Sequence, residues 1–235
     1  MSPAAAAPPT AADRELLARS DVAAHAPDAF RARVRVRPLA GGAARELEIW
    51  KGEGGEALVR LLDPSQRGKF FLQRPEGLFL ITPGTRQPVR LDPSHRLAGG
   101  VSLQEILGLR LGRDYELVDV RRHGSGAQAQ AVLALTAKAD GLPHARVRWV
   151  VRVADARPLR AELLLPSGKV ARMLEFRDWG AGSRLAPRQL VVKDLLRGGQ
   201  AFAVELLELA AAEPPPAIFA LDGDAARAAL GGTGG

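Results

Sequence analysis

Four arginines occupy every second position of the stretch RARVRVRP, residues 31–38: Arg31, Arg33, Arg35 and Arg37. On a strand, side chains at this spacing leave on the same side, and a row of guanidinium groups suits a phosphate or carboxylate polyanion. The alanine and valines between them also describe a strand with one wet and one apolar face. The function depends on which of these two faces does the work.

The overall charge gives little support for a nucleic-acid partner. The chain has 33 Lys and Arg against 26 Asp and Glu, a net charge of +7, but only five of the basic residues are lysine and there is no asparagine. This bias is typical of a GC-rich genome, which enriches arginine whether or not a polyanion is bound. The basic residues are also scattered rather than clustered. We therefore expect no nucleic-acid binding.

The sequence also contains no motif typical of a catalytic or metal-binding site. The absence of cysteine excludes a zinc-thiolate site, a disulfide framework and a thiol nucleophile. The four histidines, His25, His95, His123 and His144, show no metal-ligand spacing, and no nucleophile elbow, P-loop or dinucleotide fingerprint occurs. The sequence predicts no catalytic residue, no metal site and no cofactor, and so a protein that is not an enzyme.

The two ends of the chain look unstructured. Residues 1–12 are rich in alanine and proline and lack the charged and apolar regions of a signal peptide, which predicts a flexible leader. The same stretch could be what remains of an exported protein after signal removal. Residues 231–235, GGTGG, predict a flexible tail. No apolar run reaches the ~20 residues of a membrane-spanning helix.

Between these ends the sequence predicts two helices, about twelve strands and, after the proline triplet 214–216, a short C-terminal helix or capping segment over residues 218–230. Residues 13–24 read as a helix capped by Asp13, and residues 102–109 as a helix opened by the S-x-x-E capping box of Ser102 and Glu105. Elsewhere apolar and charged residues alternate along each predicted strand, so each strand has one apolar and one charged face. This pattern is typical of an antiparallel meander. So many twisted strands are expected to curl around their apolar face.

That apolar face is the strongest candidate site. It can be an ordinary core packed by the helices or the wall of an acyl-chain cavity, and the alternation leaves open which face of each strand is concave. The candidate wall is Val34, Val36, Leu47, Ile49, Val59, Phe70, Leu72, Leu133, Trp149, Val151, Leu163, Leu174 and Phe176. A basic rim at its mouth is a further hypothesis, with Arg86, Arg90 and Arg96 as either headgroup contacts or solvated turn residues.

The central stretch 58–117 carries a family resemblance in the order and spacing of its turns. The matching pieces are LLDP (61–64) with Gly68, LFLITP (78–83) with Arg86, Pro88 and Arg90, RL (96–97) with Ser102, and DYE (114–116). WKG (50–52) and GKVARMLEF (168–176) also fit. Together they resemble the periplasmic outer-membrane lipoprotein-sorting (LolA/LolB-like) superfamily, in particular the branch associated with resistance-nodulation-division exporters.

The resemblance implies a mainly β (α+β) fold: a single strongly curved antiparallel sheet forming an unclosed half-barrel, with a few helices lidding the concave apolar face. It implies one such domain over residues 13–230, in a periplasmic and monomeric protein whose signal peptide has been removed. The implied function is a carrier that shields acyl chains of a lipid or lipoprotein between membranes, with both helices moving aside on loading. The alternative is a non-enzymatic adaptor that docks on an inner-membrane exporter and has only a packed core.

Overall fold

The computed structural model describes residues 8–24, 28–66, 68–82, 87–92, 95–98, 100–140, 142, 144–179 and 187–231. The protein is mainly β, with a large antiparallel sheet that is not closed and a few short helices. The predicted fold class is thereby confirmed. Most of the predicted leader (residues 1–7) and of the predicted tail (residues 232–235) lies outside the described residues.

Four helices and fifteen strands are present in the described part of the chain. The helices are α1 (Ala11–Ala24), α2 (Leu103–Leu107), α3 (Leu111–Asp114) and α4 (Gly223–Gly231). The first eight strands are β1 (Phe30–Pro38), β2 (Arg45–Lys51), β3 (Ala57–Leu61), β4 (Phe70–Arg74), β5 (Gly77–Ile81), β6 (Val89–Leu91), β7 (Arg96–Ala98) and β8 (Val101–Ser102). The others are β9 (Tyr115–His123), β10 (Gln130–Ala137), β11 (Arg146–Arg152), β12 (Pro158–Leu164), β13 (Val170–Arg177), β14 (Gln189–Asp194) and β15 (Gln200–Ala211).

These elements group into two compact units. The first unit consists of Met1–Ala26 and Leu107–Ala201, and the second of Pro27–Ile106 and Phe202–Gly235. In the first unit, β9 to β14 form an antiparallel meander in which each strand pairs with the next along the chain. Register shifts interrupt the β9–β10, β11–β12 and β12–β13 pairings. Such bulges bend a strand and increase its twist, so they favour the curvature that the alternation predicts.

In the second unit, β6, β5, β4, β3, β2 and β1 follow one another as antiparallel neighbours, and β15 pairs with β1. The short strands β7 and β8 form a separate pair. After β15 the chain passes through a proline run and one 3-10 turn, Pro216–Phe219, into α4. The Asp222 carboxylate accepts the main-chain N–H groups of Asp224 and Ala225 and so caps α4.

Helix α1 begins two residues before the predicted start, and the reason is a different cap. Thr10, not Asp13, lies at the N-cap: its hydroxyl accepts the N–H of Asp13, and the Asp13 carboxylate accepts the N–H of Thr10. This reciprocal pair satisfies two helix-end donors at once. The capping box predicted for α2 is confirmed, since Ser102 and Glu105 exchange the same two bonds.

Candidate functional site

Six of the predicted wall residues lie in the first unit, and the structure brings all six onto one face of its meander. Leu133 is opposite Trp149 across the β10–β11 pair, and the row continues through Ala161 and Leu174 to Val192. Val151, Leu163 and Phe176 lie on the same side of their strands, two residues from a member of this row. We call this surface the first-unit apolar face; its residues are buried except Phe176, which is half-buried.

Trp149 is the centre of the first-unit apolar face. Its ring meets that of Phe176 edge to face, with 5.1 Å between the ring centroids. Its indole Nε1 donates a 3.0 Å hydrogen bond to the hydroxyl of Ser20 on α1, and that hydroxyl donates to the carbonyl of Leu17. A buried indole N–H needs such an acceptor. The hydrogen bond therefore fixes helix α1 over this face.

Helix α1 covers the first-unit apolar face with few apolar groups. Leu16 and Leu17 are its only buried large apolar side chains. Its other contacts are polar: the Asp13 carboxylate accepts a hydrogen bond from Arg122, and the Asp21 carboxylate accepts the main-chain N–H groups of Leu111 and Gly112. The predicted helical cover over residues 13–24 is thus present, held by hydrogen bonds near both ends and at Ser20.

One ion pair lies on the first-unit apolar face, and the sequence interpretation missed it. Arg172 and Asp194 are opposite each other across β13 and β14, with Nη1 and Oδ2 2.9 Å apart and both residues buried. Arg172 falls between Val170 and Leu174 in the alternation of KVARMLEF, and this position was the available signal. A buried charge is tolerated when it is paired, so the pair gives the face one polar but neutral spot.

The predicted wall residues of the second unit do not share one face. Ile49 is opposite Val59, and Val34 is opposite Leu47, so these residues and Val36 lie together. Phe70 and Leu72 lie on the opposite side of the sheet, because Leu72 is opposite Leu58, which is opposite Trp50. Placing Phe70 and Leu72 on the same wall as Ile49 was wrong: the run Phe70-Phe71-Leu72 is apolar at consecutive positions, so it carries no alternation that could assign a face.

Phe70 and Leu72 instead belong to a second apolar cluster. This cluster is covered by the C-terminal segment and consists of Trp50, Leu58, Phe70, Leu72, Ile81, Ile218, Phe219 and Leu230. The cover contributes three large side chains, Ile218 and Phe219 from the 3-10 turn and Leu230 from α4. Phe219 also accepts a hydrogen bond at its carbonyl from Arg74. We call this arrangement the second-unit core.

Each arginine of the row in β1 forms an ion pair with a glutamate on a neighbouring strand. Arg31 pairs with Glu48, Arg33 and Arg35 pair with Glu46, and Arg37 pairs with Glu205. Glu48 also pairs with Arg60, and the pKa of Glu46 is lowered by its hydrogen bonds from Arg35 and Arg33. Between these arginines, Val34 and Val36 are buried. The row is therefore the charged face of a strand that is buried on its other side.

The predicted basic rim is described only in part. Arg86 lies outside the described residues. Arg90 donates to the carbonyl of Glu76 in the β4–β5 turn, and Arg96 donates to the carbonyl of Gly100 in the β7–β8 turn. Both contacts stabilise local turns. A headgroup role for the three arginines stays a prediction.

A cavity of about 620 Å³ in the second unit has the wrong chemistry for an acyl chain. It is open to solvent and lined by Glu53, Glu56 and Glu213 together with Arg74, the proline run and Phe219. Charged walls disfavour an aliphatic ligand, which needs apolar contacts throughout. This cavity is therefore distinct in character from the first-unit apolar face.

Among the described residues, no group of three or more His, Asp or Glu side chains is arranged to hold a metal ion. Burial raises the pKa of Tyr115 to about 12. Of the helices in the described part of the chain, none combines the length and the apolar character that crossing a bilayer requires.

Comparison with known proteins agrees with this geometry. A family model described as "Uncharacterized protein" matches residues 54–220. A LolA superfamily protein from Nitrosomonas europaea superposes with a TM-score of 0.77 at 22% identity, over 88% of this chain and 96% of that one. A domain assigned to outer membrane lipoprotein sorting from Vibrio parahaemolyticus gives 0.65 at 15% identity, over 85% and 90% of the two chains.

A third similar structure is a DUF1329 family protein from Desulfovibrio piger, with a TM-score of 0.72 at 16% identity over 91% of this chain and 98% of that one. None of the curated proteins matches the chain. At these identities the structures establish the fold, and the resemblance to the LolA-like carriers drawn from residues 58–117 is confirmed at that level. The exporter-associated branch stays a prediction.

Proposed function

Because the chain belongs to the family whose model matches residues 54–220 and has the LolA-like fold, we propose that it is a periplasmic carrier of acyl chains. The chain of a lipid or lipoprotein would lie on the first-unit apolar face in the place that α1 occupies. The similarity to a domain assigned to outer membrane lipoprotein sorting supports the location and the class of cargo. The monomeric state and the exporter partner stay predictions.

The observation that carries this proposal is the composition of the α1 cover. Two leucines are its only large apolar contacts, and the remaining ties are hydrogen bonds that the Asp13 and Asp21 carboxylates and the Ser20 hydroxyl accept. Burial of two leucines stabilises the closed state by roughly 3–6 kcal/mol, and each hydrogen bond adds about 1 kcal/mol. Such a cover is strong enough to shield the face and weak enough to be displaced.

An acyl chain can supply the free energy that displacement requires. Burying a chain of about fifteen methylene groups gains on the order of 12 kcal/mol at ~0.8 kcal/mol each. This exceeds the roughly 7–10 kcal/mol that the two leucines and the four hydrogen bonds of α1 contribute. The ligand and the helix would therefore exchange on one apolar face, as a carrier that loads and unloads needs.

A disulfide between α1 and α3 tests this exchange. A Cβ placed on Gly112 would lie 3.5 Å from the Asp21 carboxylate Oδ2, so these two positions are near neighbours, and a cysteine pair here is the bridge to be tested. The chain has no cysteine of its own, so Asp21→Cys/Gly112→Cys can form only this bridge within one molecule, and the monomer is separated from disulfide-linked dimers before the measurement. Binding of a fluorescent fatty acid is measured before and after reduction, and free thiols are titrated to verify the bridge.

We expect the bridged protein to bind the fatty acid at least tenfold more weakly than the reduced protein, because α1 can no longer leave. The single variants Asp21→Cys and Gly112→Cys are matched controls that should be insensitive to reductant. Equal binding in both states would show that loading does not require α1 to move. Absence of binding in the wild type and in the reduced variant would favour the adaptor with a packed core.

A further inference from the structure

The turn that joins β14 to β15, residues 195–199, presents two large apolar side chains to solvent. Leu195 is 38% exposed and Leu196 is 48% exposed. The other exposed large apolar residues in the described ranges are Val22, Leu39, Val89, Val118 and Leu221, and no two of these are neighbours in sequence. Isolated exposed leucines are normal in soluble proteins, whereas adjacent ones at a turn form a small apolar tip that faces water at a cost.

The turn is built to hold these leucines outward. The Asp194 carboxylate accepts the main-chain N–H groups of Leu196 and Arg197 at 3.1 and 3.2 Å, which fixes the start of the turn. Gly198 and Gly199 complete it at φ angles of 64° and 72°, and a side chain at either position would meet no atom within 4 Å. Asp194 is itself buried beside Arg172. The conformation of the turn is therefore fixed at Asp194, and there is open space around its two glycines.

Positive charge accompanies the leucines. Arg197 follows them directly and is exposed. The N–H of Leu195 donates to the carbonyl of Ala171 at the start of β13, which places the neighbouring turn, residues 165–169, beside the tip. That turn ends in the exposed Lys169, and neither turn contains an acidic residue. Two exposed leucines accompanied by Lys169 and Arg197, with the Asp194 carboxylate beneath them buried and paired with Arg172, match the surface of an anionic bilayer.

We propose that the tip formed by residues 165–169 and 195–199 is a contact site for anionic phospholipid membranes. Leu195 and Leu196 enter the boundary between headgroups and acyl chains, and Lys169 and Arg197 remain among the phosphates. The contact is weak and reversible, because two leucines and two cations are far less than a lasting membrane anchor contains. The inference goes beyond acyl-chain carriage and does not require the first-unit apolar face to bind cargo.

A protein partner fits the tip less well. Stable protein interfaces bury about 800 Å² on each side and are centred on aromatic or arginine anchors seated in pockets. The tip has no aromatic residue, and its two leucines and Arg197 are exposed on a turn instead of being seated in a pocket. A lipid surface needs no shape complementarity, so it suits a small convex contact.

Co-sedimentation with vesicles tests the proposal. The full chain is mixed with vesicles of phosphatidylcholine, or of phosphatidylcholine with phosphatidylglycerol, at low and at high salt. The variants are Leu195→Ser/Leu196→Ser, Lys169→Gln/Arg197→Gln, and the matched control Leu39→Ser/Leu221→Ser, which removes two exposed leucines elsewhere. Circular dichroism verifies that each variant is folded.

We expect binding to the anionic vesicles that falls at least tenfold in Leu195→Ser/Leu196→Ser and about fivefold for each charge removed. The control should bind like the wild type. The proposal is overturned if the wild type ignores anionic vesicles, or if the leucine variant and the control bind alike. Fatty-acid binding by Leu195→Ser/Leu196→Ser is measured in parallel and should be unchanged, so loss of the membrane contact is distinguished from loss of the carrier function.

Discussion

The two apolar surfaces of the protein are covered by helical segments of opposite character. Over the first-unit apolar face, α1 contributes two leucines and several hydrogen bonds. Over the second-unit core, the C-terminal segment contributes an isoleucine, a phenylalanine and a leucine. Hydrogen bonds can be exchanged with water at little net cost, whereas buried apolar area cannot. The first cover therefore has the properties of a lid, and the second those of permanent core.

The largest effect should come from the second-unit core. We expect Phe219→Ala to lower the free energy of unfolding by about 3–5 kcal/mol, because it leaves a cavity beneath the C-terminal segment. Urea denaturation followed by circular dichroism measures it. The matched variant Leu17→Ala should cost less, because it removes a smaller side chain from a helix that can detach locally without unfolding the rest of the protein. Equal losses would mean that α1 is as integral to the fold as the C-terminal segment.

A smaller effect is expected at the hydrogen bond between Ser20 and Trp149. Ser20→Ala leaves the buried indole N–H without its acceptor, which costs about 1–3 kcal/mol of α1 docking. The fatty-acid association rate should rise because the lid opens more often. Ser20→Thr keeps a hydroxyl and serves as the control. If Ser20→Ala binds the fatty acid at the rate of the wild type, α1 does not act as a lid that differs from the C-terminal cover.

Acid should loosen α1 through Asp13. The hydrogen bond from the Thr10 side chain, helped by the Arg122 guanidinium, lowers the pKa of Asp13 even though burial opposes this. A carboxyl with a lowered pKa stabilises the docked helix above its ordinary pKa of about 3.9, and the contribution is lost as pH falls through the lowered value.

Fluorine NMR of fluorotryptophan-labelled protein can follow this transition at Trp149. The Trp149 resonance should be constant from neutral pH to about pH 4 and change below it, before global unfolding. In Asp13→Asn, the contribution of residue 13 to the shift of the Trp149 resonance at low pH should be absent. A resonance that moves only together with circular dichroism would show that α1 does not detach by itself.

The smallest effect is expected on the charged face of β1. Arg33→Gln removes one exposed partner of Glu46, which retains Arg35. Surface pairs of this kind contribute about 0–1 kcal/mol. Thermal unfolding with and without added salt should barely distinguish the variant from the wild type. A loss of stability comparable to that of Ser20→Ala would mean that the arginine row stabilises the fold more than its exposed ion pairs suggest.

The face on which a residue lies was predicted correctly where apolar and polar residues alternate regularly along the strand. The strands of the first unit alternate, and all six wall residues predicted there, from Leu133 to Phe176, share one face. The capping box at Ser102 and Glu105 was predicted from spacing alone because both partners are local. The arginines of β1 were assigned to the charged face for the same reason: each alternates with a small or apolar residue.

Prediction failed where a strand is buried on both sides. Phe70, Phe71 and Leu72 are all buried, so β4 has no polar face to orient it, and only the pairing with Leu58 reveals which way Leu72 points. The cover over that cluster comes from residues more than a hundred positions away in the chain, which no local pattern can reveal. The ion pair of Arg172 with Asp194 was missed for a related reason: a charge inside an apolar face contradicts the pattern unless its partner is known.

Hydrogen exchange of α1 and α4 in the same sample, with and without palmitate, shows whether α1 is a lid that an acyl chain displaces. We expect α1 to exchange faster than α4 in the free protein and to lose protection when palmitate binds, while α4 is unchanged. If palmitate binds and the protection of α1 is unaltered or increased, α1 is not such a lid, because the acyl chain then lies elsewhere than on the face that α1 covers.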